Sequence, residues 1–265
     1  MQTEVMYTQS IWLVALVLLL LLIASTEAGF RFGSHVRSRR PEQEVPPIQT
    51  IQGGLLGLVG LMLGFSFAMA AGRFEARRTL LVSEVNAIGT AYLRARMLPP
   101  TDCAQAQSLL RRYVDIRVDV LRPGFDIARI DDSIRASSEV QDLLWAHVVN
   151  IANSPGIPSA TVMLFATSIN DVIDLQTTRV ETNRSHVPEL ILFLLFALAF
   201  IAVGTVGYGC GLSHRRYLVI TTSFALLLTL VIVVILDLDR PRNGLIVVNP
   251  RAMLELQQQM SKTPH

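Results

Sequence analysis

Four long apolar runs constrain this chain more than any other feature of its sequence. They cover residues 11–30, 53–72, 190–212 and 217–236. A helix that crosses a hydrocarbon core of roughly 30 Å needs about 20 mostly apolar residues, because each residue adds about 1.5 Å and lipid offers no partner to a backbone polar group. Charged residues such as Arg31 and Arg73 end the runs. The sequence therefore predicts an all-α, polytopic membrane protein with four transmembrane helices.

The composition supports this class and excludes others. Of 265 residues, 51% are hydrophobic and 17% are charged, and the mean hydropathy is +0.44. These values are too apolar for a disordered chain or an ordinary soluble domain. Two cysteines exclude a disulfide scaffold. A net charge of +2 lacks the basic excess of a nucleic-acid-binding protein, so we expect no nucleic acid as a partner.

The first apolar run could instead be a cleaved signal peptide, because the small residues 24–26 follow its leucines. Residues 1–10 contain Glu4 but no lysine or arginine, whereas a signal peptide starts with a positive segment. We therefore expect a retained span. The basic residues divide almost evenly between the two sides of the membrane, so the positive-inside rule is nearly balanced. We expect both termini and the middle domain to be cytoplasmic, with the spans in a bacterial inner membrane.

The spans divide the chain into an N-terminal hairpin (1–72), a polar segment (73–188), a C-terminal hairpin (189–236) and a tail (237–265). Apolar residues recur at three- and four-residue spacing in the polar segment, which predicts a helical extramembrane domain. The second span should continue as one helix of about 45 residues until the prolines at 99 and 100. Further helices are expected at about 101–121, 131–154, 158–184 and, in the tail, 250–260.

The second span carries a stripe of small residues. Gly53, Gly57, Gly60, Gly64 and Ala68 recur at three- and four-residue spacing. Small side chains let helix backbones approach closely. The stripe could line or gate a narrow pore, or it could pack tightly inside the subunit, and the spacing alone favours packing.

Polar residues near the ends of the spans are candidates for an ion path, because ionisable groups are costly in a membrane. The set is Glu27, Arg73, Arg77, Glu84, Asn86, Asp237, Asp239, Arg240 and Arg242. Glu27 and Arg31 are four residues apart on one helix, which also predicts a local ion pair. Glu84 and Arg77 share a helix face, which favours a solvated face or a structural salt bridge, and such a bridge would contribute little energy if it is exposed.

Asp237 and Asp239 directly follow the fourth span, and three interpretations of them stay open. They could form a ring of carboxylates at the mouth of an oligomeric channel. They could supply oxygen ligands to a hard cation such as calcium. They could also pair locally with Arg240 and Arg242.

The sequence contains no motif of a known enzyme class. The five histidines and two cysteines show no metal-ligand spacing. Phosphate-binding glycine loops, a dinucleotide fingerprint and a Gly-x-Ser-x-Gly elbow are absent from the sequence. We therefore predict no cofactor, no metal site and no catalytic residue.

An ordered series of polar clusters resembles the bacterial bestrophin-like family. The clusters are Glu27-Ala-Gly-Phe-Arg31, Arg73-Phe-Glu-Ala-Arg-Arg78, Glu84-Val-Asn-Ala-Ile-Gly-Thr-Ala-Tyr-Leu-Arg94, His186-Val-Pro188 and Asp237-Leu-Asp-Arg-Pro-Arg242. Bestrophins are pentameric ion channels with four spans per subunit and a large helical cytosolic part, so the resemblance implies this plan. The bestrophin pore neck, of the type Ile-Pro-x-Val-Tyr, has no counterpart in the glycine-rich segment 57–67.

The leading functional hypothesis is a homo-oligomeric pore for inorganic ions, lined by the second span and surrounded by the bilayer. A second hypothesis is a non-conducting scaffold or signalling partner that docks a soluble protein through its helical domain. A third, weaker one is a lipid-modifying enzyme that uses Glu84, His186 and Asp237 as acid–base groups.

Overall fold

The structure is a computed structural model that describes residues 9–39, 48–121, 129–240 and 244–262. These parts of the chain are helical and contain no β-strand. The helices are α1 (Ile11–Arg39), α2 (Ile48–Arg94), α3 (Pro100–Leu121), α4 (Ile130–Ala152), α5 (Ser159–Arg184), α6 (Glu189–Leu212), α7 (Leu218–Asp239) and α8 (Arg251–Lys262). A 3₁₀ turn, Ala95–Met97, follows α2. The predicted all-α class is confirmed.

Four of these helices, α1, α2, α6 and α7, contain stretches long and apolar enough to cross a membrane. The predicted spans lie within them, except that Tyr217, the predicted first residue of the fourth span, precedes α7. α2 has 47 residues and runs without interruption beyond its apolar part, as predicted. It ends before Pro99 and Pro100, because proline removes a backbone donor and disfavours the helical conformation of the residue that precedes it. α1 continues past its predicted end at residue 30 and closes with the basic residues Arg37 and Arg39.

The chain forms two compact units that interleave along the sequence. The first unit contains residues 1–74 and 186–247, and the second contains residues 75–185 and 248–265. The tail expected at 237–265 is therefore divided between the units, and α8 belongs to the second. α8 contributes Met253, Leu256 and Met260 to the core of that unit.

Glycines bring α1 and α6 into backbone contact inside the first unit. A Cβ built at Gly207 would overlap the Thr26 carbonyl oxygen, and one at Gly29 would overlap the Gly204 carbonyl oxygen. Ser25 Oγ also donates to the Phe200 carbonyl across the contact, at 2.9 Å. We call this contact the α1/α6 glycine interface; its glycines are Gly29, Gly33, Gly204, Gly207 and Gly211. Close approach of small residues is typical of packed membrane helices. The structure shows it between α1 and α6, whereas the stripe noted in the sequence lies on α2.

Candidate functional site

The small residues of α2 form an open face within the chain. A Cβ built at Gly53, Gly57, Gly60 or Gly64 would meet no described atom within 4 Å. Ala68 is exposed as well. Tight packing of this stripe inside the subunit, which the spacing favoured, is therefore not what the described residues show. We call these five residues the open face of α2; whether they line a pore stays a prediction.

Glu84 is the centre of a buried polar cluster in the second unit. Its side chain is fully buried, at 0% exposure. Arg117 Nε donates to Glu84 Oε1 at 2.8 Å, and Arg179 Nη1 donates to Oε2. Tyr113 Oη lies 3.0 Å from Glu84 Oε1 and 3.0 Å from Gln176 Oε1. One carboxylate therefore binds two guanidinium groups and a phenol. We call Glu84, Tyr113, Arg117, Gln176 and Arg179 the Glu84 cluster.

Burial and the charges of the Glu84 cluster shift the pKa values of Glu84 and Tyr113. Burial raises the pKa of the Glu84 carboxyl, but Arg117 and Arg179 outweigh burial and leave this pKa below its ordinary value. Burial, and next the Glu84 charge, raise the pKa of the Tyr113 phenol far above its ordinary value. At neutral pH the cluster therefore contains an ionised Glu84, a neutral Tyr113 and two arginines. Its net charge is +1, held out of water in the core of the unit.

Glu84 forms a structural salt bridge, which is one of the two interpretations that the sequence left open, but its partners come from other helices. Glu84 faces the core and binds Arg117 and Arg179, 33 and 95 residues away along the chain. Arg77 is buried too, and its Nη2 donates to the Ser185 carbonyl oxygen at 3.1 Å. Asn86 lies exposed on the same helix. The alternative of a solvated face does not hold at Glu84, because partners from α3 and α5 bury it.

Asp237 and Asp239 are buried at the end of α7. The Asp237 carboxylate accepts the backbone N–H groups of Leu245 and Ile246, at 2.9 and 2.8 Å. Asp239 accepts the Val187 N–H at 2.9 Å. Both carboxylates thus fix the chain as it leaves the first unit's helices, rather than facing open space.

Basic groups surround this pair of aspartates. Arg73 Nε lies 4.0 Å from Asp239 Oδ1, and His186 Nδ1 lies 3.6 Å from its Oδ2. Arg240 Nη1 donates to the Gln9 carbonyl oxygen at 2.8 Å. Arg242, the other arginine expected here, lies outside the described residues. Within the parts that the structure describes, no group of three His, Cys, Asp or Glu side chains could hold a metal ion.

Glu27 makes the local ion pair that its spacing predicted. Arg31 Nε donates to Glu27 Oε1 at 2.8 Å, and Arg216 Nη2 approaches the same oxygen at 3.2 Å. The guanidinium of Arg216 also stacks over the ring of Phe30, 4.3 Å from its centroid. Glu27 thereby links the end of the first span to the start of the fourth.

The three residues proposed for a lipid-modifying enzyme are divided between the units. Glu84 belongs to the second unit, whereas His186 and Asp237 belong to the first. Both carboxylates are already engaged, Glu84 by arginines and Asp237 by backbone amides.

Replacing Asp237 with asparagine should lower the free energy of unfolding by about 1–3 kcal/mol, because one of its two backbone donors would face an amide NH₂ instead of an oxygen. The measurement is thermal unfolding of the purified protein in detergent. Asp142→Asn is the matched control: Asp142 is exposed, so the change should stay within about 0.5 kcal/mol. Unchanged stability combined with altered ion selectivity would show that Asp237 faces an ion path.

Comparison with known proteins identifies the fold. A solved variant of a bacterial Bestrophin homolog from Klebsiella pneumoniae aligns with a TM-score of 0.68 at 14% identity, over 96% of this chain and 100% of that one. Another structure of a homolog from the same organism, obtained by Zn-SAD phasing, aligns with a TM-score of 0.66 at 15% identity, over 94% and 98%. No curated protein matches this chain in sequence.

A family model supplies the sequence-level counterpart. The model of the Bestrophin-like domain matches residues 14–253, which include all or nearly all of each of the four apolar helices and most of both units. This confirms the resemblance drawn from the polar clusters. The chain belongs to the Bestrophin-like family.

Proposed function

We propose that this membrane protein assembles with further copies of itself into a pore that conducts inorganic ions, and that α2 lines the pore. The open face of α2 carries this proposal. A Cβ built at any of its glycines would meet nothing within 4 Å among the described residues of the chain. A helix face that contains mostly glycine exposes its backbone and leaves room beside it, which suits a narrow water-filled path between copies.

The lining proposed here is apolar. Residues 53–72 contain no charged side chain. Leu61, 53% exposed, is a large side chain four residues after Gly57 and three before Gly64. This arrangement favours a hydrophobic constriction, which controls conduction by wetting, over a ring of fixed charges. The burial of Asp237 and Asp239 supports the same choice.

Membership of the Bestrophin-like family supports a channel-like role, because bestrophins are ion channels. We further propose that the spans lie in a bacterial inner membrane with the second unit in the cytoplasm, as the sequence predicts. The scaffold hypothesis stays the alternative. It requires a folded, inserted protein that passes no ions.

We expect purified protein in liposomes to pass ions, measured in separate chloride and potassium gradients. Gly60→Trp should reduce this flux by at least about tenfold, because an indole would fill the constricted path. Ala24→Trp is the matched control on α1, where Ala24 is also exposed. It should leave the flux within about twofold of the unmodified protein, since it would face lipid.

Two results would contradict the proposal. Equal loss of flux in Gly60→Trp and Ala24→Trp would show that α2 does not line the path. Absence of flux for both ions, from protein shown to be folded and inserted, would refute the pore and leave the scaffold hypothesis.

A further inference from the structure

A groove lies on the surface of the first unit where α1 and α6 meet. Its volume is about 560 Å³, and its lining includes Ser25, Ala28 and Phe32 from α1 and Phe200, Ile201 and Tyr208 from α6. The volume falls in the range of about 300–1,000 Å³ that is typical of small-molecule sites. The groove exists because Gly29 and Gly204 provide its floor without side chains.

The lining is suited to a hydrocarbon chain. The Ser25 hydroxyl donates to the Phe200 carbonyl at 2.9 Å, so it does not present an unpaired donor to the groove. The rings of Phe32 and Tyr208 lie 5.7 Å apart at one end. Phe32 is 64% exposed and Ile201 is 56% exposed. A hydrocarbon chain would contact both of these side chains through van der Waals packing, which drives association inside a membrane.

The groove lies at the end of the first span and points toward a basic rim. Ser25, Ala28, Phe32 and Arg39 recur at helical spacing on one face of α1, and Arg39 is about 10 Å beyond Phe32. His35 lies between them, and both His35 and Arg39 are exposed. A ligand with its tail in the groove would therefore place its polar end beside an imidazole and a guanidinium.

The residues at this end of the spans carry a net positive charge, which favours a negatively charged headgroup on the ligand. By sequence, the two short loops and the residues beside them contain six arginines against three glutamates, Glu27, Glu42 and Glu44; the arginines are Arg31, Arg37, Arg39, Arg40, Arg215 and Arg216. Glu27 is already engaged by Arg31 and Arg216. The surplus of positive charge favours an anionic headgroup over a zwitterionic one.

We infer that the α1/α6 groove is a binding site for one anionic phospholipid, with an acyl chain between Phe32 and Phe200 and the phosphate at Arg39. This inference does not depend on ion conduction. A lipid held there would cover the outer side of the α1/α6 glycine interface and tie it to the membrane surface.

The test is native mass spectrometry of delipidated protein, titrated separately with dioleoylphosphatidylglycerol and dioleoylphosphatidylcholine. We expect tighter binding of the anionic lipid. Arg39→Gln should weaken that binding about fivefold, as one arginine near a membrane surface contributes. Arg37→Gln removes the same charge from the opposite face of α1 and should change the binding less than about twofold. Ala28→Phe should fill the groove and weaken the binding of both lipids.

Three results would overturn the inference. Equal affinity for the two lipids, with no change in Arg39→Gln, would show that the groove does not select an anionic headgroup. Equal weakening by Arg37→Gln and Arg39→Gln would show diffuse attraction to the surface. If Ala28→Phe altered the number of copies per particle and left lipid binding unchanged, the groove would be covered by a second copy. Arg39→Gln lies at an exposed helix end, so the test does not depend on Ala28→Phe being folded.

Discussion

Glu84→Gln should destabilise the protein by about 3–5 kcal/mol, the usual cost of removing one partner from a buried ion pair. The glutamine has nearly the same shape, so the loss would come from charge rather than from a cavity. Arg117 and Arg179 would remain buried without the carboxylate that binds them. The free energy of unfolding, measured by thermal or denaturant unfolding of the whole protein in detergent, should show this loss.

Glu255→Gln is the matched control in the same unit. Glu255 pairs with Arg251 on the surface, with side-chain exposures of 55% and 79%, and exposed pairs contribute about 0–1 kcal/mol. A similar loss in both variants would contradict the importance of burial. An unchanged stability in Glu84→Gln would show that the arginines find other partners.

Low pH should reduce the stability that the Glu84 cluster contributes. Because the pKa of Glu84 is lower in the folded protein than in the unfolded chain, its contribution is present above the unfolded pKa near 4.5 and is lost as the pH falls through the folded value. The unmodified protein should therefore lose this part of its stability below about pH 4.5. Glu84→Gln should lack that part of the dependence.

Gly207→Leu should be comparably damaging, at about 3 kcal/mol, because overpacking at a close contact forces backbones apart. Even the first atom of the new side chain would overlap the Thr26 carbonyl oxygen. Helix propensity opposes the loss, since leucine is better than glycine in a helix by nearly 1 kcal/mol. Unfolding in detergent measures the net effect.

Gly57→Leu is the control for Gly207→Leu. It makes the same substitution in another apolar helix, at a glycine whose Cβ would meet no described atom within 4 Å. The stability of the single chain should stay the same or rise slightly through helix propensity. If Gly57→Leu instead reduced stability as much as Gly207→Leu, the open face of α2 would be packed within the chain after all.

The spans and helix ends could be predicted from the sequence because their causes are local. Hydropathy over about 20 residues marks a membrane helix, and the prolines at 99, 100 and 158 lie at helix boundaries. The pairing of Glu27 with Arg31 was also predictable, since four-residue spacing places both side chains on one helix face.

The partners of Glu84 could not be predicted, because they depend on which helices pack together. Arg117 and Arg179 come from α3 and α5, and helical periodicity carries no information about such distant neighbours. The sequence also contains a signal for the α1/α6 glycine interface. Gly29 and Gly33 are four residues apart, as are Gly207 and Gly211. The glycine stripe of α2 is longer and was interpreted instead. Glycine spacing alone does not distinguish a helix face packed inside the chain from an outer face.

The interleaving of the two units dictates an order of completion during synthesis. The first unit begins with α1 and α2 but lacks α6, whose glycines meet α1, until translation has passed the whole of residues 75–185. The second unit waits longer, because α8 is translated only after the fourth span. A ribosome that stalled within α7 would therefore leave Met253, Leu256 and Met260 unmade, and the core they close would stay open to water. The core of the second unit is therefore completed by α8, a helix that contains no membrane span of its own.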